Sequence, residues 1–300
     1  MGEDMILKAS GLGKNYGSKP VLHDVDFTVN KGDIYGLVGK NGAGKTTIMR
    51  IITGLQVPTS GTIEYGFDKT RLGSIGALVE LPSIYANKSA EENIKFQYLN
   101  LGLKFDDSIH ELLRLVGLGN TGNKKAGKFS LGMRQRLGIA MAMVGNPDVL
   151  VLDEPINGLD PQGIIGVRDL LLRLNREKGI TIIISSHILS ELSKLATRFA
   201  FIDNGRIVRE CSADEIENAG EKLMIVKTDR PKDLCALLCS KGFNAELVSN
   251  PDKVTIHGEA VITDIAILAK EEGIIISDLR SVETDLEDFY IGIVGGNNNG

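Results

Sequence analysis

The chain has few cysteines, no excess of positive charge and no long apolar run, and each shortage excludes something. Three cysteines in 300 residues are a small, odd number, which argues against a disulfide framework and points to a reducing, cytoplasmic setting. Lys and Arg number 34 against 39 Asp and Glu, a net charge of −5. A nucleic-acid surface needs clustered cationic side chains, so this balance speaks against one. The longest apolar runs, such as Ile182-Ile183-Ile184, fall far short of the ~20 residues of a membrane-crossing helix. Any role at a membrane is therefore expected to run through a partner. Met1 to Lys8 lacks a basic region followed by an apolar core, so no signal peptide is expected. There is no heptad run and no internal repeat. Apolar residues still make up 42% of the chain, enough for a core, and the length suits one large or two modest domains.

What the chain does have is a glycine-rich run of informative spacing, Gly39-Lys40-Asn41-Gly42-Ala43-Gly44-Lys45-Thr46-Thr47. It reads G-x-x-x-x-G-K-T, the P-loop that cradles nucleoside triphosphates. Ile34 to Val38 before it has the look of a buried strand, and Thr47 to Ile52 after it that of a helix, the context the motif requires. The glycines let backbone N–H groups curl inward onto phosphate oxygens, and the helix adds the positive end of its dipole. Lys45 is expected to reach the β- and γ-phosphates, and Thr46 to offer its hydroxyl to Mg²⁺.

The first ~210 residues alternate strand-like and helix-like patterns, which predicts an α/β domain with a mainly parallel core sheet. Val149 to Leu152 and Thr181 to Ile184 read as strands covered on both faces. Met5 to Ala9 and Asp24 to Val29 alternate apolar and polar residues and read as a half-exposed antiparallel β subdomain at the edge. Residues 85–145 turn helical, with Leu112, Leu115 and Val116 at one-face spacing, and read as a helical insert. The expected domains are 1–212 and, after a polar boundary, a small α+β domain at 221–292. In the second, strands at Leu223 to Lys227, Ala245 to Val248, Lys253 to His257 and Gly273 to Ser277 alternate with helices at Lys232 to Ser240 and Val261 to Lys270. A turn is expected at Ser249-Asn250-Pro251-Asp252. The order β-α-β-β-α-β is that of a ferredoxin-like unit. Residues 293–300, mostly Gly and Asn, are expected to be a disordered tail. Cys235 and Cys239, four apart on a predicted helix, read as buried small hydrophobes rather than metal ligands.

Two more motifs carry chemistry. Val149 to Leu152 runs into Asp153-Glu154-Pro155, an apolar strand ending in two carboxylates. At the carboxyl end of a parallel strand such residues face the ligand crevice. Asp153 can hold Mg²⁺, and Glu154 is placed to act as the base on an attacking water. Ser130-Leu131-Gly132-Met133-Arg134-Gln135 opens a helix with Ser130 as its N-cap.

With these motifs in order, the chain resembles the ATP-binding subunit of an ABC transporter: Tyr16, the P-loop Gly39 to Thr46, the signature Ser130 to Gln135, Leu150 to Glu154, the D-loop Asn157-Gly158-Leu159-Asp160, then Ser186-His187. The resemblance covers roughly residues 5–212. It implies a P-loop NTPase of the ABC type, with ATP and Mg²⁺ as its cofactors, joined head to tail with a second copy. Tyr16 is then expected to stack on adenine, and Asp160 to communicate between the two sites. His187 is expected to hydrogen-bond the γ-phosphate and position water. Ser130 and Gly132 of one copy would face the γ-phosphate held by the other. Lys40 stands where the family often has Pro, and its charge is expected to help hold phosphate.

The chain departs from the family's pattern twice. Leu131 and Met133 replace the second and fourth residues of Ser-Gly-Gly-Gln, with Ser130 and Gly132 kept. Glu80 stands where most members have Gln, beside the expected Mg²⁺ and phosphate, where it adds negative charge. Glu80 and the stretch from Leu81 to Asn93 resemble the subgroup that exports bacitracin-like peptides and lantibiotics. That resemblance implies a separate transmembrane permease docking on Leu81 to Asn93, a peripheral place at the cytoplasmic face of the membrane, and ATP-driven export giving resistance or immunity. The competing reading is a soluble ABC-type ATPase acting on ribosomes or nucleic acid, which usually carries two such domains or a long coiled-coil insert.

Overall fold

The computed structural model describes residues 4–80, 82–105, 108–219, 222–247, 252–258, 260–283 and 286. Its first unit, Met1–Ala213, opens on β1 (Met5–Tyr16) and β2 (Lys19–Asn30). Next come β3 (Ile34–Val38), α1 (Lys45–Ile52), β4 (Ser60–Tyr65) and β5 (Ile75–Leu78). A helical stretch holds α2 (Ala90–Asn100), α3 (Ser108–Leu115), a 3₁₀ turn at Ala126–Lys128 and α4 (Leu131–Ala142). The unit continues with β6 (Val149–Asp153), α5 (Pro161–Lys178), β7 (Thr181–Ser186), α6 (Leu189–Leu192), β8 (Arg198–Asp203) and β9 (Arg206–Ser212).

β1, β2 and β4 form an antiparallel sheet in the order β2-β1-β4. The larger sheet has the order β5-β6-β7-β3-β8-β9, parallel except at β9. Every residue of β3, β6 and β7 is buried, which is why these strands are continuous apolar runs without alternation. One core joins the two sheets through α1. Leu7, Phe27 and Val29 pack in it with Ile48, Met49 and Ile52, and with Val151 and Ile183. α1 is thereby clamped beside the carboxyl ends of β3 and β6.

Within the helical stretch, α3 buries Ile109 and Leu113, and Val116 just after it is buried, whereas Leu112 and Leu115 are half-buried. Of the expected stripe Val116 is buried, while Ile109 and Leu113 take the core positions expected of Leu112 and Leu115, since Ile109 and Leu113 form the i, i+4 pair facing inward. The turn before α2 is tied down by polar side chains. Asn93, wholly buried, accepts from Tyr85 N at 2.7 Å and donates to Ser89 O at 2.8 Å. Ser89 and Glu92 form a capping box at the start of α2. Gly127 N and Ala126 N donate to Ala86 O and Lys88 O, so this turn is stitched to the segment leading into α4.

The second unit, Asp214–Gly300, contains most of α7 (Ala213–Ala219). It continues with β10 (Lys222–Thr228), α8 (Pro231–Ser240), β11 (Asn244–Leu247), β12 (Lys253–His257), α9 (Ile262–Glu271) and β13 (Ile276–Glu283). The sheet is antiparallel in the order β11-β12-β10-β13. Leu234 and Leu238 of α8 and Ile265 and Ala269 of α9 cover its Met224, Val226, Val254 and Ile256.

Three expectations in this unit are corrected. The last strand starts at Ile276, not Gly273, because Gly273 (φ +61°) ends α9. Its N–H donates to Lys270 O, and Ile274 N donates to Ala269 O, a left-handed glycine cap. Val261 precedes α9 and is 61% exposed, so helical spacing does not carry it into the core. Cys239 is exposed and Cys235 half-buried. They follow Leu234 and Leu238 by one position, about 100° around the helix and off the buried stripe. Both thiols instead donate to Ala245 O. The expected turn at residues 249–251 and the tail at 293–300 lie outside the described residues, as does Leu81.

Candidate active site

The strand–loop–helix β3–α1 places Lys45 and Thr46 at the start of a helix whose N-terminal N–H groups have no side-chain cap. Such an end is a ready anion site. The loop reaches that helix through Gly44 (φ +115°), where a Cβ would meet Leu22 Cδ2 at 2.6 Å, so both conformation and space demand glycine. The Lys45 side chain, 5% exposed, folds back over the loop. It donates to Gly39 O at 2.6 Å and Lys40 O at 3.2 Å, with Glu154 Oε1 at 3.6 Å. Two of the ammonium's three donors are thus held by the loop itself, which fixes the charge over the cradle.

β6 delivers the two carboxylates from the neighbouring side. Thr46 Oγ1 donates to Asp153 Oδ2 at 2.8 Å, and Ser185 Oγ donates to Asp153 Oδ1 at 2.5 Å. Ser185 Oγ also accepts from Glu154 N at 2.9 Å. Glu154 takes a left-handed backbone (φ +48°), which turns its side chain across the end of the sheet. Its Oε2 pairs with His187 Nδ1 at 2.7 Å, while its buried Oε1 accepts no hydrogen bond from any described residue. β7 supplies Ser185 and ends just before His187, so three adjacent strands, β3, β6 and β7, converge their carboxyl ends here.

A cavity of about 320 Å³ opens over this floor, its wall including Tyr16, Gly42, Lys45, Thr46, Arg50 and Glu154. Tyr16 ends β1 and is 42% exposed, and its hydroxyl donates to Gln56. The partly exposed ring stands at the cavity wall, where an aromatic face could stack on a base. Lys40 has an exposed side chain on the loop, and Asn41, Gly44 and Thr47 also line the cavity.

Other expected residues lie elsewhere. Glu80, left-handed at φ +67°, ion-pairs with Arg50 of α1 and is not among the lining residues. Ser130 is the N-cap of α4, accepting from Met133 N at 3.3 Å, and Asp160 is the N-cap of α5, accepting from Gly163 N at 2.8 Å. Neither they nor Gly132 line the cavity. A Cβ on Gly132 would meet nothing nearer than Gly163 Cα at 3.8 Å, so packing within the chain does not demand glycine there.

Sequence reading missed three residues of this network. Ser185 braces the Asp153 carboxylate and the Glu154 backbone N–H, and its signal was a hydroxyl at the end of a mostly apolar strand. Arg50 and Gln56 hold Glu80 and Tyr16 across 30 and 40 residues of chain, a spacing that carries no local signal.

Comparison with known proteins agrees with the geometry. Residues 22–157 match the family described as ABC transporter. The bacitracin transport ATP-binding protein BcrA of Bacillus licheniformis is 38% identical over 97% of this chain and 98% of its own. The lantibiotic transport ATP-binding protein SrtF of Streptococcus pyogenes is 45% identical over 72% of this chain and 95% of its own. The structure of cbiO1 from Clostridium perfringens, part of the ABC transporter complex cbiONQ, covers 71% of this chain and 90% of its own with a TM-score of 0.64 and 29% identity. A P-loop, a braced pair of carboxylates and a histidine gathered at one sheet end thus coincide with relatives matched along nearly the whole chain, and the chain belongs to the ABC transporter family as its ATP-binding, ATP-hydrolysing subunit.

Proposed function

We propose that this subunit powers the export of antimicrobial peptides of the bacitracin or lantibiotic type, or of lipophilic drugs, through a separate membrane permease. It works as one half of a head-to-tail dimer with two equivalent ATP sites. The observation that carries the dimer is the incomplete cavity: the P-loop and Glu154 line it, while Ser130 and Gly132 stand outside it, and packing within the chain leaves room for a Cβ at that glycine. A second copy presents those residues, and the N-terminus of its α4, to the γ-phosphate. The near full-length likeness to BcrA supports the cargo class.

The residues fit a magnesium ion. The donors are oxygens only, one hydroxyl and one carboxylate, and magnesium typically adds phosphate oxygens and water to such a set. Thr46 and Asp153 would hold it, and when bound it neutralises charge on the phosphates. Glu154 Oε1 takes a proton from the attacking water as the water oxygen bonds to the γ-phosphorus and the bond to the ADP oxygen breaks. His187 fixes the orientation of Glu154 through Oε2. Lys45 and the second copy's Ser130 stabilise the charge that develops on the transferred group.

No described helix is long and apolar enough to cross a membrane, so the permease is a separate surface to be docked. A groove of about 510 Å³ between the end of β5, α2 and α4, lined by Val79, Pro82, Ile84, Tyr85 and Met141, supports docking on the stretch before Asn93. The test is a mild-detergent pull-down of Glu154→Gln with Mg-ATP, which traps the ATP-bound state. Polytopic membrane proteins in near-equal amount are expected. Ribosomes, nucleic acid or soluble proteins alone would overturn the transporter reading.

A further inference from the structure

Three acidic residues crowd the same end of the large sheet. Leu78 of β5 pairs with Leu152 of β6, so Glu80 follows its strand at the level at which Glu154 follows its own. Both glutamates are left-handed, φ +67° and +48°. For a non-glycine residue that conformation costs energy and persists where the surroundings impose it. This end of the sheet must accept a triphosphate, a ligand of several negative charges. Each carboxylate accordingly has its own partner. Asp153 takes hydroxyls from Thr46 and Ser185, Glu154 faces Lys45 and His187, and Glu80 has the guanidinium of Arg50. Lys45 and Arg50 belong to the same helix, α1, and both line the nucleotide cavity. Glu80 thus stands one arginine side chain away from the cavity wall.

We propose that Arg50 is a positioning residue for ATP: its guanidinium neutralises Glu80, so a carboxylate can stand beside the triphosphate without repelling it. Glutamine at position 80 would need no such counter-charge. Arg50 matters here through Glu80 and not through a contact of its own with the nucleotide. The pair is partly exposed, 31% and 60%, so its effect is modest and falls with salt.

The test is a double-mutant cycle on Mg-ATP affinity, read by equilibrium binding at low and high ionic strength in the full chain. The variants are Arg50→Ala, Glu80→Gln and the two together, with Lys45→Ala reporting the ATP site itself. Arg50→Ala is expected to weaken binding about two- to fivefold at low salt. Adding Glu80→Gln is expected to restore it, as removal of the bare carboxylate removes the repulsion. Arg50→Lys, which keeps the charge, is expected to bind near wild type. An equal loss from Arg50→Ala in both backgrounds would mean that Arg50 acts on the nucleotide directly or only on the fold, and the proposal would fall.

Discussion

At Glu154 one carboxylate divides its work between two oxygens. Oε2 is taken by His187, and Oε1, beside the Lys45 ammonium, is buried and accepts no hydrogen bond from any described residue. In the proposed reaction the first fixes direction and the second is the basic atom. Replacing the acid by an amide keeps the shape and removes the base. Glu154→Gln is therefore expected to retain Mg-ATP binding and to lose about 100-fold or more in turnover, measured as phosphate release against binding. If turnover fell less than tenfold, the base would be another group. Ser185 matters at the same scale. Its hydroxyl fixes Asp153 and the Glu154 backbone together, so the two carboxylates are set as a unit.

Among the elements, α2 is held by its first turn. The Ser89 N–H bonds the Glu92 carboxylate at 2.7 Å and Ser89 Oγ accepts from Glu92 N. The Ser89 N–H, then Lys125 and Lys88, lower the Glu92 pKa from 4.5 to about 2. A folded-state pKa below the unfolded one means that the charged form stabilises the fold. The stabilisation is complete above about pH 4.5 and is lost as the pH falls through about 2. Glu92→Gln keeps the cap geometry but not the charge. Its stability deficit against wild type is expected above pH 4.5 and should vanish toward pH 2, measured by denaturant midpoints across that range. A deficit independent of pH would assign the effect to packing. Because Lys125 bonds the same carboxylate and leads into α4, this cap also braces the approach to Ser130.

At the scale of the whole molecule, Glu80 lies between the nucleotide cavity and the groove proposed for docking. It follows β5, is tied to α1 by Arg50, and precedes Pro82 on the rim of the groove. In the proposed function, this segment is the route by which binding at one place would bias the other. Glu80→Ala in cells carrying the cognate permease is expected to reduce peptide export more than basal ATPase. Equal loss of both would remove Glu80 from coupling and leave it a nucleotide-site residue alone.

The parts legible in the sequence were those governed by neighbours along the chain. A run such as Val149 to Leu152 is a buried strand because no polar residue interrupts it, and the P-loop spacing specifies its own turn. The C-terminal element order was legible for the same reason, up to the strand that Gly273 delays by capping α9. The tertiary structure alone decided what lies across the chain. It paired Glu80 with Arg50, tied Ser185 to the Asp153 carboxylate and the Glu154 backbone, and left Ser130, Gly132 and Asp160 outside the cavity as helix starts. Side chains 30 residues apart or more meet only after the strands pair and α1 packs, and no periodicity in the chain encodes that meeting.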